Sequence, residues 1–481
     1  MNHPRLISGF AGSLACAALL LGCSGSHLPP PGTPPSGAAT SLSPMALPNV
    51  PPEQPAEPAA RTVIVVSDLH FGLGKLSAAD WDHYEDFRWS SEWSEFLARI
   101  DQEGGGATDL VLNGDAFELW QSRTGDCQSR DPERGCSGLE ALQRVQRIIA
   151  AHAPDLQRLG QFAMSGNNRV VIVPGNHDAA LLFPEVAAAV VQSTGAAPDR
   201  LSLSATGYWI SRDRRIYADH GHQIGIDPNA YHNWPRPFRE QDEKWYLTRP
   251  WGEQFMQSFY NAYEDRYPII DNVSAESEAV KFALAREGQS GLLHAVGRFV
   301  GFTLLKTSWT QRIDLARLQS PSSPPEGQDK GRTLTAEELA KDPKSREQIF
   351  GGYLNRVLDG MRGQQLASSP FDLYVFSHTH NLDVGFEIPS QSRSGTTRIV
   401  NSGAWQRVVS SEWLKREQTR RQIPLRDVLV TVALEDLPPC YGVVRIRPYA
   451  PSERPQAEVL YFRAASSPSG VTASNLSPTC E

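Results

Sequence analysis

The sequence predicts an α/β fold with one polar centre at the ends of its buried strands. The strongest observation is Val170-Val171-Ile172-Val173, a β-branched run that reads as a core strand and is stopped by Pro174-Gly175. Asn176, His177 and Asp178 follow immediately, so an amide, an imidazole and a carboxylate sit where the strand ends. Three further runs stop in the same way. Val63–Val66 leads to Asp68 and His70, Leu110–Leu112 to Asp115, and Leu373–Phe376 to His378 and His380. Rigid scaffolds carry their sites on loops at strand ends, and four such junctions imply a shared centre.

Composition places limits on function. The chain of 481 residues is 40% hydrophobic and 21% charged, as ordinary globular proteins are. A net charge of −8 argues against a nucleic-acid surface, which needs clustered Lys and Arg. Arg5 followed by an apolar, small-residue stretch from Leu6 to Leu21 reads as an export signal, too short for a membrane span. It ends in Leu20-Leu21-Gly22-Cys23, which resembles a bacterial lipobox. That resemblance implies a signal peptide over residues 1–22 and lipidation of Cys23, with the chain anchored to a membrane and facing the periplasm. Residues 24–60 hold eleven prolines and no Lys or Arg, so residues 23–60 read as a lipidated cysteine and a semi-extended tether. Of six cysteines, Cys16 leaves with the signal and Cys23 carries lipid. The even remainder suggests the disulfides Cys127–Cys136 and Cys440–Cys480.

The folded region is expected over 61–481. After the strand at 62–66, an aromatic segment turns into an amphipathic helix that ends at Gly104-Gly105-Gly106. A strand at 109–112, a helix over about 138–152, the strand at 170–173 and an alanine-rich helix after Pro184 follow. Runs at 207–211 and 214–218 form a hairpin that stops at Asp219-His220-Gly221-His222. The alternation then lapses. Residues 227–364 are rich in aromatics and mostly helical in pattern, and are read as a cap inserted into the domain, because metal-type residues resume after it. Thr335 with Glu338 resembles a capping box there, and the near-continuous apolar stretch 291–305 reads as a buried cap helix. Strands at 373–376, 398–400, 428–434, 441–447 and 457–463 complete the sheet.

The candidate ligands are Asp68, His70, Asp115, Asn176, His220, His378 and His380. Side chains at i and i+2 can reach one point once a loop turns, which suits Asp68/His70 and His378/His380. A carboxylate such as Asp115 can bridge two cations, and Asn176 lends an oxygen without charge. Two cations roughly 3.5–4 Å apart acidify a shared water and clamp phosphate oxygens for in-line attack. Mixed nitrogen and oxygen donors fit Mn, Fe, Zn or Ni. His177 adjoins a ligand and is better placed to reach substrate, as a proton donor to the leaving oxygen or a charge stabiliser. His222 reads as a packing or outer hydrogen-bonding residue.

Asp68-x-His70, Gly114-Asp115, Gly175-Asn176-His177-Asp178, His220-Gly221-His222 and His378-x-His380, in that order, resemble the calcineurin-like metallophosphoesterase superfamily. The resemblance implies a four-layer α/β/β/α sandwich with two divalent transition metal ions. It assigns Asp68, His70, Asp115 and His380 to one ion, and Asp115, Asn176, His220 and His378 to the other. It also implies hydrolysis of a phosphate mono- or diester by a hydroxide held between the ions, with His177 as the catalytic histidine. The substrate class would be a phosphorylated small molecule or a lipid-linked phosphate. Ser377 stands where that family usually has Gly; if the position needs a positive φ, Ser costs about 1 kcal/mol there without removing a ligand. The run Gly114–Trp120 also resembles the branch that includes UDP-2,3-diacylglucosamine hydrolases, whose Gly-Asn-Arg-Asp is not matched here. A tethered binding protein that kept the fold but not the reaction is the alternative; a missing ligand would favour it, and none is missing. A serine hydrolase would need a Gly-x-Ser-x-Gly elbow, which the sequence lacks.

Overall fold

The computed structural model describes residues 43–45, 61–78, 80–121, 127, 131–225, 227–264, 266–274, 307–308, 311–312, 343–362, 371–390, 395–465 and 474–480. The signal, Cys23, nearly all of the tether, the Thr335/Glu338 box and the apolar stretch 291–305 lie outside them.

Element order begins β1 (Thr62–Val66), α1 (Ser90–Glu103), β2 (Thr108–Asn113), β3 (Arg134–Ser137), α2 (Gly138–Ala151), α3 (Ala153–Met164), β4 (Arg169–Val173) and α4 (Pro184–Thr194). It continues with β5 (Leu201–Leu203), β6 (Tyr208–Ile210), β7 (Ile216–Asp219), β8 (Phe238–Gln241), β9 (Lys244–Thr248), α5 (Trp251–Phe255) and α6 (Asn261–Glu264). After α7 (Pro343–Arg362) come β10 (Leu373–Phe376), β11 (Leu382–Pro389), β12 (Thr396–Ser402), α8 (Ser411–Arg421) and α9 (Leu425–Thr431). The chain closes with β13 (Cys440–Ile446), β14 (Ala457–Arg463) and β15 (Asn475–Ser477).

Two sheets carry the domain. The first runs β15-β14-β13-β1-β2-β4-β5 and the second β11-β12-β10-β7-β6. Strands β1, β2, β4 and β5 are parallel, as are β7, β10 and β12. Period-two alternation assigns each strand two faces. Val63, Val65, Val111, Val173, Ala218, Val375, Val400 and Val444 meet in one cluster between the sheets. Ile64, Val66, Leu110, Leu112 and Ile172 point the other way, into the cluster they share with residues of α1 to α4, α8 and α9. On the far side Tyr217, Tyr374, Phe376 and Ile399 pack against Phe350, Tyr353 and Leu354 of α7. The layers are therefore α/β/β/α, and burial on both faces explains why the strands read as unbroken apolar runs. Each sheet's parallel strands end together, which gathers the polar loops at one edge.

Three elements differ from expectation. Residues 428–434 were expected as a strand, but Leu425–Thr431 is a helix. Its Val428 and Leu429 are buried, as is Val432 just past its end, so core packing overrides the β preference of the run. The helix expected to end near 152 is followed at once by α3, whose Pro154 lies in the first turn, where no N–H is needed. Among the described residues of the segment read as a cap, β8 and β9 add a hairpin that pairs with β3 as a separate three-stranded sheet. Asp242 and Glu243 at its tip both have positive φ, the geometry of a two-residue hairpin turn. Helix α7, although inside the expected cap, covers the second sheet.

Candidate metal centre

Five loops leave the carboxyl ends of β1, β2, β4, β7 and β10, and each brings its polar residues to one place. Two donor groups form there: Asp68, His70 and His380, and Asp115, His220 and His378, with the donor atoms of each group within 4.8 Å of one another. His380 Nε2 lies 3.2 Å from Asp68 Oδ1, and His220 Nε2 lies 2.9 Å from Asp115 Oδ2 and 3.9 Å from Asp68 Oδ1. The second distance to Asp68 links the two groups into one constellation. Asn176 is fully buried beside it.

The backbone is bent to make this possible. Asp68, His70, Asp115, His378 and His380 all have positive φ, a conformation that costs a non-glycine residue on the order of 1–3 kcal/mol. Strain concentrated on the candidate ligands marks a site whose geometry the surrounding fold enforces. Two glycines are required by close approach. A Cβ on Gly114 would stand 2.2 Å from His220 Nδ1, and one on Gly175 would stand 2.2 Å from Asp115 Oδ1. Ser377, where the family usually has Gly, has no positive φ and carries no such cost. Its hydroxyl instead accepts from Asn113 Nδ2 at 2.8 Å and meets Ser402 Oγ at 2.8 Å, in a buried network under the site that also includes Ser67.

Tautomers follow from the partners. His70 Nδ1 faces Glu118 Oε2 at 3.0 Å, and His220 Nδ1 faces the Asn113 carbonyl at 3.0 Å. An acceptor at Nδ1 keeps the proton there and leaves Nε2 with its lone pair for a cation. Both Nε2 atoms, both oxygens of Asp68 and both amide atoms of Asn176 are buried and make no aligned hydrogen bond. Buried polar atoms normally have partners. Cations between them would satisfy every one of these lone pairs, on His70, His220, Asp68 and the Asn176 amide oxygen, so the residues present fit the metal ions that the motifs imply.

Sequence reasoning missed Glu118. Its Oε2 meets both His70 Nδ1 and, at 2.6 Å, His177 Nδ1, while its Oε1 accepts from Trp120 and Gln121 backbone N–H at 2.7 Å. One carboxylate thus orients a candidate ligand and the candidate catalytic histidine. The signal was present, three residues after Asp115, but a lone acid in a loop has no period to betray it. Burial of Glu118 favours its neutral form, yet His177 and His70 outweigh that and hold it far below the usual carboxylate range. Burial works against a charged His177, but Glu118 and Asp115 raise it to about 10. The Asp115 share of that rise would be lost to any cation that neutralises the carboxylate.

Trp120 stacks on His177 with centroids 4.3 Å apart and holds the ring in plane. Asp178 staples two loops, accepting from Gly175 N at 2.6 Å and from Ala116 N at 2.9 Å. His222 packs edge-on against Trp234, 4.4 Å away, as a packing residue would. The disulfides Cys127–Cys136 and Cys440–Cys480 are both formed, and such bonds persist in oxidising, extracytoplasmic compartments. No helix among the described residues is long and apolar enough to cross a membrane.

Comparison with known proteins places this geometry. A calcineurin-like phosphoesterase family profile matches residues 61–275. The chain carries a calcineurin-like metallophosphoesterase domain. The matched segment includes Asp68 through His222 of the site; His378 and His380 lie beyond it and are brought in by the fold. No curated protein matches the chain. One solved structure, assigned as a 5′-nucleotidase from Staphylococcus aureus in complex with alpha-ketoglutarate, aligns at 11% identity with a TM-score of 0.27. The alignment covers 83% of this chain and 52% of that one, so this chain spans about half of that protein, and a similarity so low carries no functional argument.

Proposed function

We propose that this chain is a dinuclear metal-dependent phosphoesterase. The observation that carries the reading is the set of orphaned, buried donor atoms on Asp68, His70, Asn176 and His220, gathered beside Asp115, His378 and His380. Asp68, His70, Asp115 and His380 would hold one divalent ion, and Asp115, Asn176, His220 and His378 the other. The ions would supply Lewis acidity and an acidified water between them. The protein's own part is to fix the ligands by strained loops, to set the tautomers of His70 and His220, and to present His177. With its Nδ1 on Glu118, His177 turns Nε2 toward the open side, where it can give a proton to a leaving oxygen. Purified chain should hold two transition metal ions after reconstitution and hydrolyse a phosphate mono- or diester. Elemental analysis showing none, with no turnover across a panel of both ester types, would overturn the assignment.

The expected lipid anchor belongs to the same reading. The lipobox-like Leu20–Cys23 and the proline-rich stretch that follows support an exported enzyme held on a membrane, acting on a phosphorylated small molecule or lipid-linked phosphate in the periplasm. Cys23→Ala should move the protein from the membrane fraction to the soluble fraction. Retention on membranes after a high-salt wash would mean that another segment anchors it.

A further inference from the structure

Asp227 stands seven residues after His220, at the start of the inserted segment, and no motif of the site includes it. Its Oδ2 lies 3.0 Å from His378 Nε2. Its Oδ1 accepts from Asn229 N at 2.8 Å, which fixes the oxygen that faces the ring. The two side chains are only 12% and 14% exposed, so little water competes for the contact.

This partner sits on the opposite nitrogen from those of the other histidines. Glu118 and the Asn113 carbonyl face Nδ1 of His70 and His220, which leaves Nε2 of each for a cation. At His378 the carboxylate faces Nε2 instead. It keeps the proton there, and the lone pair falls on Nδ1. His378 belongs to the donor group of Asp115 and His220, so its ring still has a nitrogen to offer that group. The loop that carries Asp227 also braces a second residue of the site. Tyr231 OH donates to the Asn176 carbonyl at 3.1 Å, and Trp120 Nε1 donates to that hydroxyl at 3.3 Å.

We propose that Asp227 is the positioning residue of His378, holding its proton on Nε2 so that Nδ1 is the atom offered to the ion. The inference rests on the dinuclear reading above and deepens it. The inserted segment selects the coordinating atom of a ligand 151 residues further along the chain, and residues 227–231 together support both Asn176 and His378.

The test is long-range ¹H–¹⁵N correlation NMR of the full-length chain with ¹⁵N-labelled histidine, metal-free and loaded with Zn²⁺, paired with calorimetric titration of Zn²⁺. His378→Gln identifies the His378 signals. In the wild type that ring should carry its proton on Nε2, and Zn²⁺ should shift its Nδ1 resonance. Asp227→Asn keeps the side chain's shape, but with Oδ1 held by the Asn229 N–H its amide nitrogen faces His378 Nε2 and donates to it. The ring proton should then move to Nδ1, and affinity for one of the two ions should fall about 10–100-fold. Zn²⁺ bound through Nε2 of wild-type His378 would overturn the proposal, as would an Asp227→Asn chain with unchanged affinities. So would weaker binding with the proton still on Nε2, since Asp227 would then act by charge alone. In each of these cases two ions on the wild-type chain leave the dinuclear reading standing, whereas a wild-type chain that binds no ion fails both.

Discussion

Asp115→Asn should leave a folded protein with little bound metal and no measurable turnover. The substitution is close to isosteric, and an amide oxygen can still accept the His177 backbone N–H that Asp115 Oδ1 accepts at 2.8 Å. What is lost is charge, at the carboxylate 2.9 Å from His220 Nε2, the atom that also stands 3.9 Å from Asp68 of the other donor group. Burial by itself would favour the neutral acid, but His220 and His177 hold Asp115 ionised, well below the usual carboxylate range. The site thus keeps an anion where no water screens it, which is costly unless cations complete it. Losing a partner one shell out from a metal typically costs roughly 10–100-fold in affinity, and removing a bridging anion should exceed that. Metal content by elemental analysis and turnover on the best substrate of the panel check this together. Near-normal turnover with two ions bound would show that Asp115 is no bridge.

Much of this was readable in the residues because the strands are buried on both faces. Runs such as Val170–Val173 and Leu373–Phe376 are continuous, and the polar residues that break them stand out. All seven expected ligands come to one edge for that reason. What escaped was carried by contacts without local pattern. Glu118 and Asp227 lie in loops and reach their histidines only through the fold. The Leu425–Thr431 helix is decided by which face of a β-branched run meets the core. The hairpin of β8 and β9 turns on Asp242-Glu243, which lacks the glycine that usually announces such a turn. Ser377 carries no positive φ and its hydroxyl has two buried partners, Asn113 and Ser402, whereas His378 and His380 beside it take the positive φ as they bend toward the centre.

The same carboxylate that sequence reading missed divides the work between metal and histidine. His177 touches the site through Glu118, Trp120 and its own backbone, and none of these contacts needs its Nε2. His177→Asn should therefore retain both ions and lower kcat by about 10²–10⁴ for a poor leaving group such as an alkyl alcohol, the usual share of a general acid. For p-nitrophenolate, which leaves without a proton, the loss should be far smaller. Glu118→Gln should behave differently. Its amide cannot accept from two imidazole N–H groups through one oxygen while also serving the backbone N–H groups of Trp120 and Gln121. One histidine must turn or lose its tautomer. Because His70 is among them, Glu118→Gln should lose metal affinity by about 10–100-fold as well as the leaving-group dependence. Equal losses on both substrates in His177→Asn would exclude proton donation and leave charge stabilisation as its role. Full metal affinity in Glu118→Gln would show that His70 holds its orientation without the carboxylate, which would then serve His177 alone.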